Sequence, residues 1–295
     1  MAHAWIGASG FAYRHWIDVL YPRGLPASRW LERYAEEFDA VELNVTFYRL
    51  PDERTFAQWR KRTPDDFRFV LKGSRMLTHV KKLREPDAWL AFFFERAAVL
   101  ANKLACVLWQ LPPELPKDLS RLESFLAAMP AAARDLRHAF EFRHPSWFSA
   151  DVYAALERAR AEAVLSDWPI EVLAPGQRTR DLSRPVVRAP APRRFAYVRR
   201  HGPHERYRSG YPDALLRSDA RWIRRRADEG IEAFVFYNND RGGHAVRNAR
   251  TLARYVGAKA PTTRRRAPYR VSTDSSRSST GENPGNHDAT SVALA

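Results

Sequence analysis

The chain has 295 residues, 45% of them hydrophobic, and a net charge of +15. That length suits one large domain or two ordinary ones; the lone Cys106 excludes an intramolecular disulfide framework, and no apolar run reaches the ~18 residues of a membrane-spanning helix. Only seven of the 49 basic residues are lysine, so the charge reads as an arginine-rich composition with a general attraction to anions, and not by itself as a nucleic-acid signature.

The opening residues, MAHAWIGASG, have neither the basic nor the long apolar region of a signal peptide, and the expected compartment is the cytoplasm. Strand one, Trp5 to Ser9, is closed by Gly10, and an aromatic loop or broken helix follows. After Ser28 a helix presents Trp30, Leu31, Tyr34, Ala35 and Phe38 on one stripe. Strand two, Ala40 to Asn44, alternates: Val41, Leu43 and Val45 face one way, and Glu42, Asn44 and Thr46 the other. Pro51 and Asp52 open the next helix. Strand three is Phe67 to Lys72. The basic stretch from Leu77 to Glu85 reads as a solvated face, and an apolar helix runs from Asp87 to about Asn102.

Strand four, Ala105 to Gln110, stops at Leu111-Pro112-Pro113. A helix from Asp118 to Met129 leads to strand five, His138 to Arg143, and a helix from Ala150 to Arg160 leads to strand six, Val164 to Asp167. The crossover from Ile170 to Arg194 is rich in proline and arginine. Strand seven, Phe195 to Arg200, aligns Tyr197, Arg199 and His201. A helix from Pro212 to Glu229, with the basic RWIRRRADE read as another solvated face, precedes strand eight, Glu232 to Asn239. Gly242-Gly243 then opens a last helix. From residue 258 the composition loses its large apolar residues, and a disordered tail is expected over residues 258–295.

Eight strands alternating with helices over about 255 residues predict an α/β fold, a single (β/α)8 TIM-type barrel over residues 1–257 with an irregular crossover after strand six. An open doubly wound sheet is the rival. It is disfavoured because the GASGF after strand one lacks the G-x-G-x-x-G spacing of a dinucleotide site, and no cofactor is expected.

In such a barrel the active site forms where the strands end. The polar residues converging there are Ser9, Glu42, Asn44, Lys72, Gln110, Glu141, Arg143, Asp167, Arg199, His201, Asn238 and Asn239, a ring too polar to leave dry without partners or ligand. Glu42, Glu141 and His201 are the candidate acid–base residues. Lys72, Arg143 and Arg199 are candidates to hold an anion, with Asn44, Asn238 and Asn239 to orient it. Salt bridges among these same charges are the alternative. Glu42, Glu141, Asp167 and His201 could also face a metal, but the interleaved cations oppose one, and none is expected. His144 is expected to stabilise its loop, and Cys106 to fill the core.

Together these residues resemble the YecE-like family of domains of unknown function over residues 4 to 257. The motifs are Gly7-Ala8-Ser9-Gly10, Tyr34-Ala35, Val41-Glu42-Leu43-Asn44 through Pro51, Lys72 with Thr78-His79, and Gln110-Leu111-Pro112-Pro113. Glu141-Phe142-Arg143-His144-Pro145-Ser146-Trp147, Arg199 with His201-Gly202, Asn238-Asn239 and Asn248-Ala249 complete them. The resemblance implies a TIM-type barrel and supplies no reaction.

The functional expectation is an enzyme for a small anionic, phosphorylated substrate, with hydrolase, lyase and isomerase chemistry open. Glu141→Gln is expected to abolish turnover and spare folding. The alternative is a nucleic-acid-binding or nucleic-acid-processing barrel, with Phe11, Tyr13, Trp16, Phe47, Tyr48 and Trp147 as stacking aromatics. No membrane partner is expected, and the residues specify no oligomeric state.

Overall fold

Alternation along each strand decides which way its side chains point, and in this protein both directions are buried. The computed structural model describes residues 2–167 and 191–257. The crossover expected from Ile170 to Arg194 lies mostly outside them, and the tail from residue 258 wholly outside.

Nine strands occur among the described residues: β1 (Ala4–Ala8), β2 (Ala40–Leu43), β3 (Arg68–Lys72), β4 (Leu104–Gln110), β5 (Arg137–Glu141), β6 (Glu162–Ala163), β7 (Leu165–Ser166), β8 (Phe195–Arg200) and β9 (Glu232–Tyr237). All pair in parallel, in two sheets of order β1-β9-β8-β7 and β2-β3-β4-β5-β6. The arrangement is TIM-barrel-like.

The single sixth strand expected from Val164 to Asp167 is in fact two short ones. β6 pairs with β5, β7 pairs with β8, and Val164 between them is buried in the interior. The chain changes partner at that residue and so joins the two sheets covalently.

One set of side chains, including Val41, Leu43, Phe69, Leu71, Val107 and Phe140, packs beneath the helices. The opposite set, including Val70, Cys106, Leu108, Ala139, Phe195, Tyr197 and Phe234, fills the interior. Cys106 is therefore core, as expected, and burial pushes its thiol up, away from the reactive thiolate. The two faces are those that the alternation assigns.

The helices are α1 (Trp30–Ala35), α2 (Val45–Tyr48), α3 (Glu53–Arg62), α4 (Asp87–Ala97), α5 (Leu119–Ala127), α6 (Ala150–Arg158), α7 (Asp213–Asp228) and α8 (His244–Val256). Asp52 caps α3 by accepting from the Thr55 N–H at 2.8 Å. Val45, which the alternation carried on as strand, starts α2 instead, because Asn44 already adopts helical angles. The apolar helix from Asp87 ends at Ala97, and a 3-10 segment with Ala101 at φ +49° replaces its last turn. The stretch from Leu77 to Glu85 is not a plain solvated face: Met76–Val80 forms a π-helical turn that buries Leu77 and Thr78.

The seam between β1 and β2 is held mainly by side chains. Ser9 and Glu42 form one isolated bridge, with Gly10 N–H donating to the Glu42 carbonyl at 2.7 Å. Below it the Tyr34 hydroxyl accepts from Ala8 N–H at 2.8 Å and donates to the Ala40 carbonyl at 3.0 Å. Gly7 makes room for this hydroxyl, since a Cβ there would lie 2.1 Å from the Ala40 oxygen and 2.7 Å from the Tyr34 oxygen. Gly7→Ala is therefore expected to cost about 1–3 kcal/mol or more of stability by overpacking. Urea unfolding checks this, and an unchanged midpoint would mean that the seam is looser than described.

Candidate functional site

The strand ends gather the expected polar residues around one guanidinium. On β8 the inward alternation places Phe195 and Tyr197 in the apolar interior and Arg199 above them, 1% exposed. Arg199 binds Glu42 bidentately, Nε to Oε2 at 3.0 Å and Nη2 to Oε1 at 2.7 Å. Its Nη1 donates to Glu141 Oε2. Tyr197 O–H donates to Glu42 Oε2 at 2.6 Å from below. Burial alone would raise both carboxyls, but the Arg199 charge and hydrogen bonds hold Glu42 below, and Arg199 with Arg143 holds Glu141 well below, the usual carboxylate range.

This changes three expected roles. The fork of Arg199 is filled by two carboxylates and offers no N–H pair to a substrate anion. Glu42 has both oxygens engaged and lies fully buried. A carboxyl held so low is a weak base and a poor proton donor at neutral pH. Glu141→Gln, moreover, is expected to cost stability, because it removes one charge of a buried ion pair.

His201 lies at Glu141's other oxygen, with Nε2 3.4 Å from Oε1. Its Nδ1 faces the Asn238 amide nitrogen at 3.2 Å. That nitrogen can only donate, so Nδ1 accepts and the proton of the neutral ring sits on Nε2, toward Glu141. Burial pushes His201 below the ordinary imidazole range despite the pull of Glu141. Its backbone is fixed by Asp167, whose Oδ1 accepts from His201 N–H at 2.8 Å and whose Oδ2 accepts from Tyr211. Asn238 is thus a partner of His201. Asn239 turns away, donating to Ser209 O at 2.8 Å and to Asn248 Oδ1 at 2.9 Å, and ties α8 to the loop between β8 and α7.

Arg143 lies at the rim, its side chain 11% exposed and its Nε 3.3 Å from Glu141 Oε1. Asn44 approaches the Ser9 carbonyl at 3.4 Å. Lys72 ends β3 with its Nζ 4.1 Å from the centre of the Phe47 ring. Burial and the charges of Arg199 and Arg143 push its amine down to about 7, with Glu141 and Glu42 pulling the other way. The Thr46 hydroxyl in α2 lies 2.7 Å from the Lys72 carbonyl and so holds Phe47 over the amine. His144 caps its 3-10 turn by accepting from Ser146 N–H at 3.2 Å, as expected.

Sequence reasoning passed over His79 and Tyr197 as site residues and offered Phe47 only as a stacking aromatic. His79 rises from the π-helical turn to Gln110, Nε2 to Nε2 at 3.3 Å, edge-on to Phe47. Burial together with Lys72 and Arg143 pushes its imidazole down to about 4. The available signal was Thr78-His79 following Lys72, masked by the basic residues after it. Of the six proposed stacking aromatics, Phe11, Trp16, Phe47 and Trp147 are buried, while Tyr48 is 77% exposed.

A groove of about 280 Å³ opens beside the mouth between Tyr48, Ser74, Arg75 and Trp89. A larger cavity of about 430 Å³ surrounds Thr63 and Lys103 at the opposite, N-terminal ends of the strands. There the Lys103 amine donates to the Arg60 and Thr63 carbonyls, a structural role.

Removing the central cation by Arg199→Met leaves two buried carboxylates uncompensated and is expected to cost on the order of 3–5 kcal/mol, read by urea unfolding; a loss below about 1 kcal/mol would show the triad to be solvated. Lys72 acts in the opposite sense. Its folded value of about 7 lies below the ordinary 10.5, so between these values the unfolded chain holds a proton that the folded chain lacks. Stability from this group therefore rises with pH across that window. Lys72→Met is expected to flatten the rise and to be more stable than the wild type at pH 6. Identical pH profiles for the two proteins would rule out a buried, depressed amine.

The family model described as "Protein of unknown function DUF72" matches residues 5–271, a span that runs past Gly257. The UPF0759 protein YecE of Escherichia coli (strain K12) is 32% identical over 146 residues, 49% of this chain and 50% of that protein, so the chain spans about half the length of this relative. The UPF0759 protein YunF of Bacillus subtilis (strain 168) is 26% identical over 270 residues, covering 84% of this chain and 93% of that protein. Among solved structures, a DUF72 family protein from Thermotoga maritima MSB8 has a TM-score of 0.70 at 27% identity, over 86% of this chain and 99% of that one. No helix among the described residues is long and apolar enough to cross a membrane. With its motifs at the strand ends and a match across nearly all its described residues, the chain belongs to the DUF72 family.

Proposed function

We propose that this protein is an enzyme that binds a small anionic substrate at the C-terminal mouth of a closed (β/α)8 ring. The split of strand six and the Ser9–Glu42 bridge are the features that support closure. The observation that carries the functional reading is the charge left over at the mouth. Arg199 is committed to Glu42 and Glu141, and Arg143 meets Glu141 at the rim. The Lys72 amine lies beside them without an ion pair among the described residues.

Arg143 is the natural contact for a phosphate or carboxylate, because it stands at the edge and a planar guanidinium can hold either bidentately. Asn44 and Gln110 border the same space and can orient polar groups. His201 is the acid–base group: Glu141 orients its Nε2–H and steadies the imidazolium, and Nδ1, which now accepts from Asn238, is the nitrogen that takes up and returns a substrate proton. Glu42 and Arg199 keep the frame in place.

Nucleic acid is the second reading, favoured by the net charge of +15. The burial of four of its six aromatics weakens it.

A thermal-shift screen of the full chain with sugar phosphates, small carboxylic acids and short single-stranded oligonucleotides tests both. A ligand that binds the native state at ~100 times its Kd adds about 2.7 kcal/mol and raises the Tm. The expected result is stabilisation by a small anion, weakened about tenfold or more in affinity by Arg143→Ala, as suits the loss of one charge-assisted pair. Stabilisation by oligonucleotides alone, falling steeply with salt, would transfer the site to the second reading. No shift with any anion would end both.

A further inference from the structure

The fold buries most of the Lys72 side chain and gives its amine no hydrogen-bond partner among the described residues. Lys72 is 9% exposed. Among the described residues its Nζ makes no hydrogen bond and no ion pair, and its contact is the face of Phe47. An ammonium brings three N–H donors and no acceptor, and in this position no acceptor among the described residues is bonded to any of the three. The two nearby carboxylates cannot serve it fully, because Arg199 already occupies an oxygen of Glu141 and both oxygens of Glu42. The groups whose charges act on it are Arg199 from β8, Arg143 and Glu141 from the end of β5, Glu42 from β2, and His79 from the π-helical turn. The arginines oppose its charge and the glutamates favour it.

We propose that Lys72 is a nucleophilic amine that condenses with the aldehyde or ketone carbon of an anionic substrate to form a Schiff base. This rests on the reading above that the mouth takes an anion, and it names the reactive group that anion carries. The neutral Nζ lone pair forms the C–N bond while the carbonyl π pair moves to oxygen, which gains a proton. The carbinolamine then expels that oxygen as water, and the nitrogen keeps one hydrogen as an iminium. Amine, carbonyl compound and one proton give iminium and water, with no oxidant or reductant.

The product fits the site better than the free ammonium does. A protonated imine keeps the positive charge but carries a single N–H, so the shortage of acceptors matters less. The Phe47 face can hold that delocalised cation without a hydrogen bond. The amine's value of about 7 leaves a substantial neutral fraction at neutral pH, the condition for a lysine nucleophile.

The test is reductive trapping on the full chain. The protein is incubated near pH 7 with cyanoborohydride and either dihydroxyacetone phosphate or uncharged dihydroxyacetone, then digested, and modification is followed by mass spectrometry at each of its seven lysines. Lys72 is expected to react on the order of tenfold or more faster than the exposed lysines. The phosphorylated ketone should outpace the neutral one. Arg143→Ala is expected to remove that preference, and in Lys72→Met no fast site should remain. The wild-type measurement stands by itself should a variant fail to fold. Fast trapping at Lys72 by both ketones equally would uphold the amine and overturn the anion reading. Trapping at Lys72 no faster than at exposed lysines, or fast only above about pH 9, would overturn the proposal.

Discussion

The structure depends on the placement of one arginine between two glutamates. Arg199 stands on β8, in one sheet, and Glu42 and Glu141 stand on β2 and β5, in the other. Their ion pairs cross the interior just above the level where Tyr197, Phe236 and Val70 fill it with apolar atoms. Desolvating three charges is costly, and only good geometry with every lone pair engaged offsets that cost. The bidentate fork, the Tyr197 hydroxyl and the rim contact of Arg143 supply that engagement. With both glutamates held ionised, the triad fixes the electrostatic setting of everything above it.

Around that centre the mouth divides by depth. Glu42 and Asp167 have both oxygens bonded, Arg199 is committed to the two glutamates and Asn239 donates to Ser209 and Asn248, so their roles end with holding strands and loops in register. His201 is intermediate, its two ring nitrogens facing an amide and a carboxylate. Lys72 stands beside the triad with the Phe47 face as its contact, and Arg143 and Asn44 lie nearer the edge. A site built this way keeps its most deeply buried charges committed to one another.

The fold was legible because period-two alternation survives in nearly every strand: Phe67, Phe69 and Leu71 against Val70 and Lys72, or Tyr197 and Arg199 against Val198. The strand that misled, Val164 to Asp167, is too short for alternation to show where its partner changes. Val45 and Thr46 misled for another reason, since β-branched residues after a strand read as more strand until a hydroxyl meets a backbone carbonyl. Of the site, the residue types and their convergence were visible. Their division of labour was not, because alternation fixes a side chain's direction and not its partner across the ring. Nothing in the sequence says that Arg199 meets Glu42 and Glu141 while Lys72 meets Phe47. His79 was hidden by its lysine-rich neighbours, which suggested solvent where the backbone makes a π-helical turn.

The Thr46 hydroxyl against the Lys72 carbonyl has an evolutionary consequence. In barrels of this kind each loop usually belongs to one βα unit, and new specificities arise by replacing loops singly. Here the turn after β2 is anchored to the backbone at the end of β3, and its aromatic ring forms the floor on which the neighbouring lysine rests. The two units therefore form one inheritable module. A graft that exchanged the Asn44–Pro51 turn alone would strip the amine of its seat, so diversification here would have to exchange the two units together.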